Sequence, residues 1–344
     1  MAQPPPGRFD RQERFQPLGP SGQKRLEEAH VLLVGVGALG GVLAQNLVRA
    51  GVGRLTIADR DVVELTNLPR QVLFEDRHAA KAVPKALAAA ETLGRIGGPT
   101  RIEAHAAHVE ASNLGELARD AALILDGTDN LTTRYLINDY CVREGLPWIY
   151  GGVVSSGGLV LPILPGKSAC LRCVFPDPPP PGSLPTCDSA GVILPAVGAI
   201  ASLQAGAALR ILGQAPDAPA FVPKLMQLDV WSGAMMTLEA PRRPDCPACG
   251  LGQYDFLEAP AAREPVVLCG RNAVQIASTG PRPDLAAIAE RSRKIADEVQ
   301  ELGVMLRIKV EGSVLTLFPD GRALIEGTDE VDRARALYDR YLGT

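Results

Sequence analysis

Two pairs of cysteines carry the most specific chemical signal in the chain. "CLRC" supplies Cys170 and Cys173, and "CPAC" supplies Cys246 and Cys249. Each pair can offer two thiolates to one tetrahedral cation, and two such knuckles make a closed four-sulfur zinc site. With every position taken by protein, no place remains for a reacting water. The expected zinc is therefore structural, stapling the start of a proline-rich loop to the end of a domain. A redox pair fits less well, because "CLRC" does not open a helix after a strand in thioredoxin fashion.

A second constellation is "LLVGVGALGG" at 32–41. Gly35 permits a tight turn after a strand, Gly37 lets backbone approach a phosphate, and Gly40 lets the next helix pack close while its N-terminus faces the anion. Asp59, about twenty residues on, ends the next strand, where a carboxylate can accept from ribose hydroxyls. NAD and ATP satisfy these features equally. The residues beyond Asp59 favour a triphosphate, which carries more charge and needs cations and a metal. Arg70 lies in a polar loop after the second strand, and Lys85 comes later in "AVPKAL". "LDGTDN" then puts Asp126 and Asp129 at the C-terminal end of a strand, where ligands bind in open α/β sheets. A carboxylate there suits Mg²⁺. Turn capping is the plainer role for Asp126, and surface charge the plainer role for either cation alone.

The elements that must hold these groups alternate. "HVLLVG" (30–35), "RLTIAD" (54–59), "RIEAHA" (101–106), "AALILDGTD" (121–129) and "PWIYGG" (147–152) read as strands, with helical stretches such as 39–50 and 81–93 between them. Near-continuous apolar strands alternating with helices predict a doubly wound, mostly parallel sheet of Rossmann type. "GLVLPIL" (158–164) and the pair within 223–240 predict an antiparallel extension. "FPDPPPPGSLP" (175–185) predicts a loop, since successive prolines cannot enter a helix or interior strand. The stretch 192–212 is apolar enough to suggest a membrane span, but Pro195, Gln204 and many small residues predict a buried helix instead.

At 344 residues and 46% hydrophobic, the chain can bury two domains. We expect an N-terminal arm (1–25), the nucleotide domain with its zinc site (26–256), a linker (257–265), and a small α+β module (266–344). In the module, a helix is expected over 284–302, with Asp284 and Asp329 as N-caps. Cys269 and Cys141 are expected to be core residues. A net charge of -4 argues against general nucleic-acid binding. The polar start, "MAQPPPGRFDRQERF", lacks the apolar stretch of a signal peptide, so a cytoplasmic location with no membrane partner is expected.

Taken in order, "RFDRQ", "GVGALG", "D-R-D" at 59–61, "TNLPRQ", "PK", "DGTDN", the paired CxxC motifs and "PTCDSAGVILP" resemble the ThiF/MoeB/HesA adenylyltransferases. These are relatives of the ubiquitin-activating enzymes, and the resemblance covers roughly residues 8–252. It implies that ATP and Mg²⁺ bind in the sheet's crevice. The C-terminal glycine carboxylate of a ubiquitin-fold sulfur carrier ending in Gly-Gly then attacks the α-phosphate, giving an acyl-adenylate and pyrophosphate for thiamine or molybdopterin synthesis. Asp59 would hold the ribose; Asn67, Arg70 and Lys85 the phosphates; Asp129 the metal, with Asn130 beside it. Arg11 matches an arginine that family homodimers lend to the neighbouring subunit. Cys187 stands where some relatives form covalent links to the carrier or its sulfur.

Two departures stand out. Ala38 replaces a usual glycine of the loop, and extra residues before Lys85 make Lys81 a rival for its role. The chain shows no rhodanese domain, so a separate sulfur donor such as a cysteine desulfurase is expected. The competing readings are an NAD-dependent oxidoreductase, which gives no role to the zinc pairs, Arg70 or Lys85, and a non-catalytic scaffold that docks a carrier without activating it. A relative that activates a tRNA-bound carboxylate suits the acidic balance less well.

Overall fold

Alternation within the first strands decides the layering. A computed structural model describes residues 7–179, 187–215, 219–258, 266–268, 272–276, 283–302, 305–319 and 321–342. In β1 (His30–Val34), β2 (Arg54–Ala58) and β4 (Leu123–Asp126), Val31, Leu33, Leu55, Ile57, Leu123 and Leu125 join one core cluster. Leu32, Val34, Ala58 and Ile124 join a second cluster on the opposite face. Both faces are covered, as the near-continuous apolar runs require.

Eight strands form one sheet in the order β3-β2-β1-β4-β5-β6-β7-β8. The first five, which include β3 (Arg101–His105) and β5 (Trp148–Val154), are parallel. β6 (Gly157–Ile163), β7 (Leu225–Asp229) and β8 (Ala234–Leu238) add antiparallel. Chain order reverses between β1 and β4, the switch point at which such sheets open a crevice beyond their C-terminal ends.

The helices of this unit are α1 (Asp10–Glu13), α2 (Gly19–Glu28), α3 (Ala38–Ala50), α4 (Asp76–Ala80), α5 (Lys85–Ile96), α6 (Ala111–Leu117), α7 (Leu131–Glu144), α8 (Leu171–Val174), α9 (Cys187–Ala190), α10 (Leu194–Gly213) and α11 (Asp255–Glu258). α2 runs across the boundary expected at 25/26. α10 is the apolar stretch that resembles a span. It packs on α3, β5 and β6, and buried Gln204 donates to the Asp126 carbonyl at 2.9 Å. That explains a polar residue in mid-helix.

The chain divides into two units, Met1–Glu258 and Ala259–Thr344. The second is a six-stranded antiparallel sheet in the order β11-β12-β13-β14-β10-β9. Its strands are β9 (Val266–Leu268), β10 (Ala273–Ile276), β11 (Glu298–Glu301), β12 (Leu306–Val310), β13 (Ser313–Leu317) and β14 (Ala323–Glu326), with helices α12 (Leu285–Ser292) and α13 (Val331–Tyr341). Asp284 caps α12, accepting from the N–H groups of Ala286 and Ala287. The helix expected over 284–302 stops early: 298–301 instead pairs with β12 as an edge strand. The N-cap of α13 is Glu330 rather than Asp329. Cys269 and most of the linker expected at 257–265 lie outside the described residues.

Candidate active site at the sheet edge and a thiol cluster

Three glycines build the crevice floor, and one of them, Gly127, lies in the "DGTDN" motif without a role assigned to it from sequence. Gly35 ends β1 with φ +82°, a left-handed conformation that glycine tolerates without strain. A Cβ on Gly40 would lie 2.0 Å from the Gly35 carbonyl oxygen, and one on Gly127 would lie 2.4 Å from the same atom. β1, β4 and the first turn of α3 therefore meet backbone to backbone. At Gly37, by contrast, a Cβ would meet only the Gln71 side chain, at 3.7 Å. The protein itself does not fill that side of the loop. Gly37 is the N-cap of α3 and makes no side-chain cap bond, and Ala38 is the first helical residue. The helix thus presents its N-terminus to the crevice unshielded by a cap.

Asp59, just past β2, is buried. Its carboxylate accepts from the Val36 and Asp61 N–H groups, both at 2.8 Å, tying the glycine loop to the end of β2. Burial pushes its pKa up, while the Lys85 ammonium pulls the other way. Lys85 opens α5 and is itself only 4% exposed, with Nζ 3.1 Å from an Asp61 carboxylate oxygen. Lys81 is exposed at the end of α4. Of the two rivals, Lys85 is the one drawn into the cluster with Asp59 and Asp61.

The 64–74 segment bends over this edge. Asn67 is buried and its side-chain oxygen accepts from the Glu64 N–H at 3.0 Å, so one of its polar atoms is committed to the turn. Arg70 is half-buried and donates to the Thr66 carbonyl at 2.7 Å. Gln71, which carries no motif signal of its own, is 5% exposed and its side-chain oxygen has no hydrogen-bond partner. It is the Gln71 amide nitrogen that faces Gly37, and the orphaned buried oxygen of the same amide is the kind of atom a ligand satisfies.

On the other side of the switch point, Asp126 ends β4 fully buried. Its carboxylate accepts from the Thr128 N–H at 2.9 Å, the turn role expected of it, and from the Arg134 Nε at 2.9 Å. Arg134, in α7, also donates to the carbonyls of Thr128 and Gly151. This buried brace has no local sequence signal. Burial raises the Asp126 pKa, with Arg134 opposing. Asp129 is exposed, with no hydrogen bond or ion pair among the described residues. Asn130 is the N-cap of α7, accepting from the Thr133 N–H at 3.0 Å.

Arg11 does not join this group. α1 packs on α2, and its neighbour Gln12 donates to the Ala50 carbonyl at the far end of α3. The 13 residues of α3, twelve rises of about 1.5 Å, separate that end from the glycine loop by about 18 Å. Arg11 is exposed on the opposite edge of the sheet from its own crevice. The backbone of Cys187 starts α9, and its side chain lies outside the described atoms. Cys141 is wholly buried in α7.

The four-cysteine cluster assembles as its spacing predicts. All four sulfurs lie within 4.8 Å of one another. Neighbouring Sγ atoms are 3.9 Å apart for Cys170 and Cys173, 3.5 Å for Cys170 and Cys246, and 3.4 Å for Cys173 and Cys249. A tetrahedron with Zn–S of about 2.3 Å has edges of about 3.8 Å, so the residues fit a zinc ion. Burial pushes the Cys170 thiol up, and that of Cys173 up to about 11, so thiolates there need a cation. Around them, buried Arg172 lies 3.5 Å from Asp139 of α7 and donates to Asp255 at 3.0 Å. Asn138 accepts from the Leu171 N–H at 2.8 Å. The cluster is thereby tied to α7 and α11.

Comparison with known proteins agrees with this architecture. The ThiF family model matches residues 9–248. A Bacillus subtilis protein named sulfur carrier protein ThiS adenylyltransferase is 41% identical over 98% of this chain and 99% of its own length. A Thermus thermophilus sulfur carrier protein adenylyltransferase is 39% identical over 71% of this chain and 90% of its own. Among solved structures, Escherichia coli MccB with ATP superposes with a TM-score of 0.61 at 22% identity, covering 71% of this chain and 75% of that one, a likeness of fold. With most of the first unit inside the family model and a relative aligned over both units, the chain belongs to the ThiF family.

Proposed function

We propose that this protein uses ATP to adenylate the C-terminal glycine carboxylate of a ubiquitin-fold sulfur carrier, releasing pyrophosphate. The observation that carries the reading is the near full-length match to a ThiS adenylyltransferase. A thiamine-type carrier is therefore the first to test. The crevice supports the chemistry. The α3 N-terminus and the open side of Gly37 receive phosphate oxygens, and Asp59, with a free lone pair on each oxygen, takes the ribose.

One carboxylate oxygen of the carrier forms a bond to the α-phosphorus as the bond to pyrophosphate breaks. No general base is needed, because the attacking carboxylate is already ionised at neutral pH. Arg70 and Lys85 hold the phosphates and offset the charge that grows on the departing pyrophosphate. The buried Lys85 is kept in place by Asp61. Asp129, whose carboxylate is uncommitted, would hold Mg²⁺, which supplies further charge neutralisation when bound. Rate enhancement then comes from positioning and charge stabilisation. Arg11, too far from its own crevice, serves a second copy of the chain, so the working unit is a homodimer. A cysteine desulfurase or similar donor delivers sulfur afterwards.

ATP–pyrophosphate exchange on the full chain, with and without a ThiS-type carrier ending in Gly-Gly, tests this. Exchange that requires the carrier is the expected result. Carrier binding without exchange would establish the docking scaffold instead, and tight NAD binding would return the oxidoreductase.

A further inference from the structure

At the tip of the β5–β6 hairpin a cavity of about 350 Å³ opens between Ser155, Ser156, Gly191, Val192, Ile193 and Trp231. No charged side chain lines it among the described residues. Its polar backbone is already paired: the Ser155 N–H donates to the Gly191 carbonyl at 2.8 Å and the Ile193 N–H donates to that of Ser155 at 3.1 Å. Trp231 is 84% exposed, and its backbone is fixed by the turn it sits in. Asp229 accepts from the Trp231 and Ser232 N–H groups at 2.9 and 3.0 Å and from the Ser156 hydroxyl at 3.1 Å. The turn thus holds a bare indole beside an apolar hollow. Such an exposed aromatic wall suits an apolar side chain.

The cavity's distance from the crevice sets the reach that an extended tail needs. β5 pairs with β4 only at Trp148 and Ile149, then overhangs the sheet edge. Gly151, whose N–H lies 3.5 Å from Asp126, marks the crevice end, and Ser155 marks the cavity. Four residues of strand at about 3.3 Å each make about 13 Å. An extended peptide covers that span with four residues of its own.

Building on the adenylation reading, we propose that this cavity is a specificity pocket for the carrier's tail, seating an apolar side chain four residues before the terminal glycine against Trp231. The test is carrier-dependent exchange with Trp231→Ala and Trp231→Phe, using a Gly-Gly carrier made with Leu or Asp at that position. The Trp231→Ala enzyme is expected to show a roughly tenfold higher KM for the Leu carrier, with kcat and the KM for ATP unchanged, and Trp231→Phe to recover most of the loss. The Asp carrier is expected to be weak with the parent enzyme and no weaker with Trp231→Ala. An unchanged KM for Trp231→Ala, or an equal loss with both carriers, would overturn the pocket assignment while leaving adenylation standing. No exchange with the parent enzyme and either carrier would overturn the adenylation reading and the pocket with it.

Discussion

At the C-terminal edge of β1 and β4 the chain meets glycine to glycine at 35, 40 and 127, and among the described residues it leaves the Asp129 carboxylate without a hydrogen bond or ion pair and the Gln71 side-chain oxygen without a hydrogen-bond partner. At the thiol cluster it does the reverse. Four sulfurs close on one another, and Arg172, Asn138 and Asp139 bond to the segments around them. The two regions show opposite treatments of polar groups. A site for passing ligands leaves valences open at some cost in stability, and a site for a permanent ion satisfies them within the fold.

The comparison breaks if either region behaves like the other. The largest effect should come from Asp129→Ala or Arg70→Ala, each expected to lower carrier-dependent exchange by about 10²–10³-fold, the scale of losing one charge-stabilising group. The melting temperature should stay within a degree or two, since both side chains are at least partly exposed. A matching fall in melting temperature would make these residues structural.

Cys170→Ser, or treatment with a strong chelator, should do the opposite. Zinc measured by atomic absorption is lost, and the melting temperature falls by roughly 10 °C or more, as loss of several kcal/mol implies for a domain of this size. Unchanged stability in a zinc-free protein would remove the structural assignment.

Gly40→Ala sharpens the contrast further. Its methyl would lie 2.0 Å from the Gly35 carbonyl, so backbone must shift, at about 1–3 kcal/mol. Calorimetry should show this together with weaker ATP binding. Gly37→Ala should leave stability nearly unchanged and affect nucleotide affinity alone.

The smallest expected effect is at Asn130. Its cap on α7 is worth about 1 kcal/mol, so Asn130→Ala lowers the melting temperature by a few degrees. A rise in the KM for ATP beyond that would give Asn130 a nucleotide contact as well.

Much of this is legible in the chain. Near-continuous apolar runs in β1, β2 and β4, the glycine loop and the cysteine spacing are local patterns with local causes, and they place the sheet, its switch point and the thiol cluster. The features that escape depend on distant partners. Gly127 matters only because β4 docks beside β1, and Arg134 only because α7 folds back over Asp126. In the second unit, 298–301 carries no strand signal strong enough to interrupt an amphipathic helical run. Pairing with β12 decides its state.

The glycine floor has one more consequence, in the language of linkage. Gly35, Gly40 and Gly127 come together only in the folded sheet, so the unfolded chain has no equivalent of the crevice. A nucleotide held there binds the native state alone and draws the folding equilibrium toward it. At a hundred times its dissociation constant that adds about 2.7 kcal/mol, a sizeable share of a typical domain's stability. The enzyme's lifetime in a cell would then track its supply of substrate.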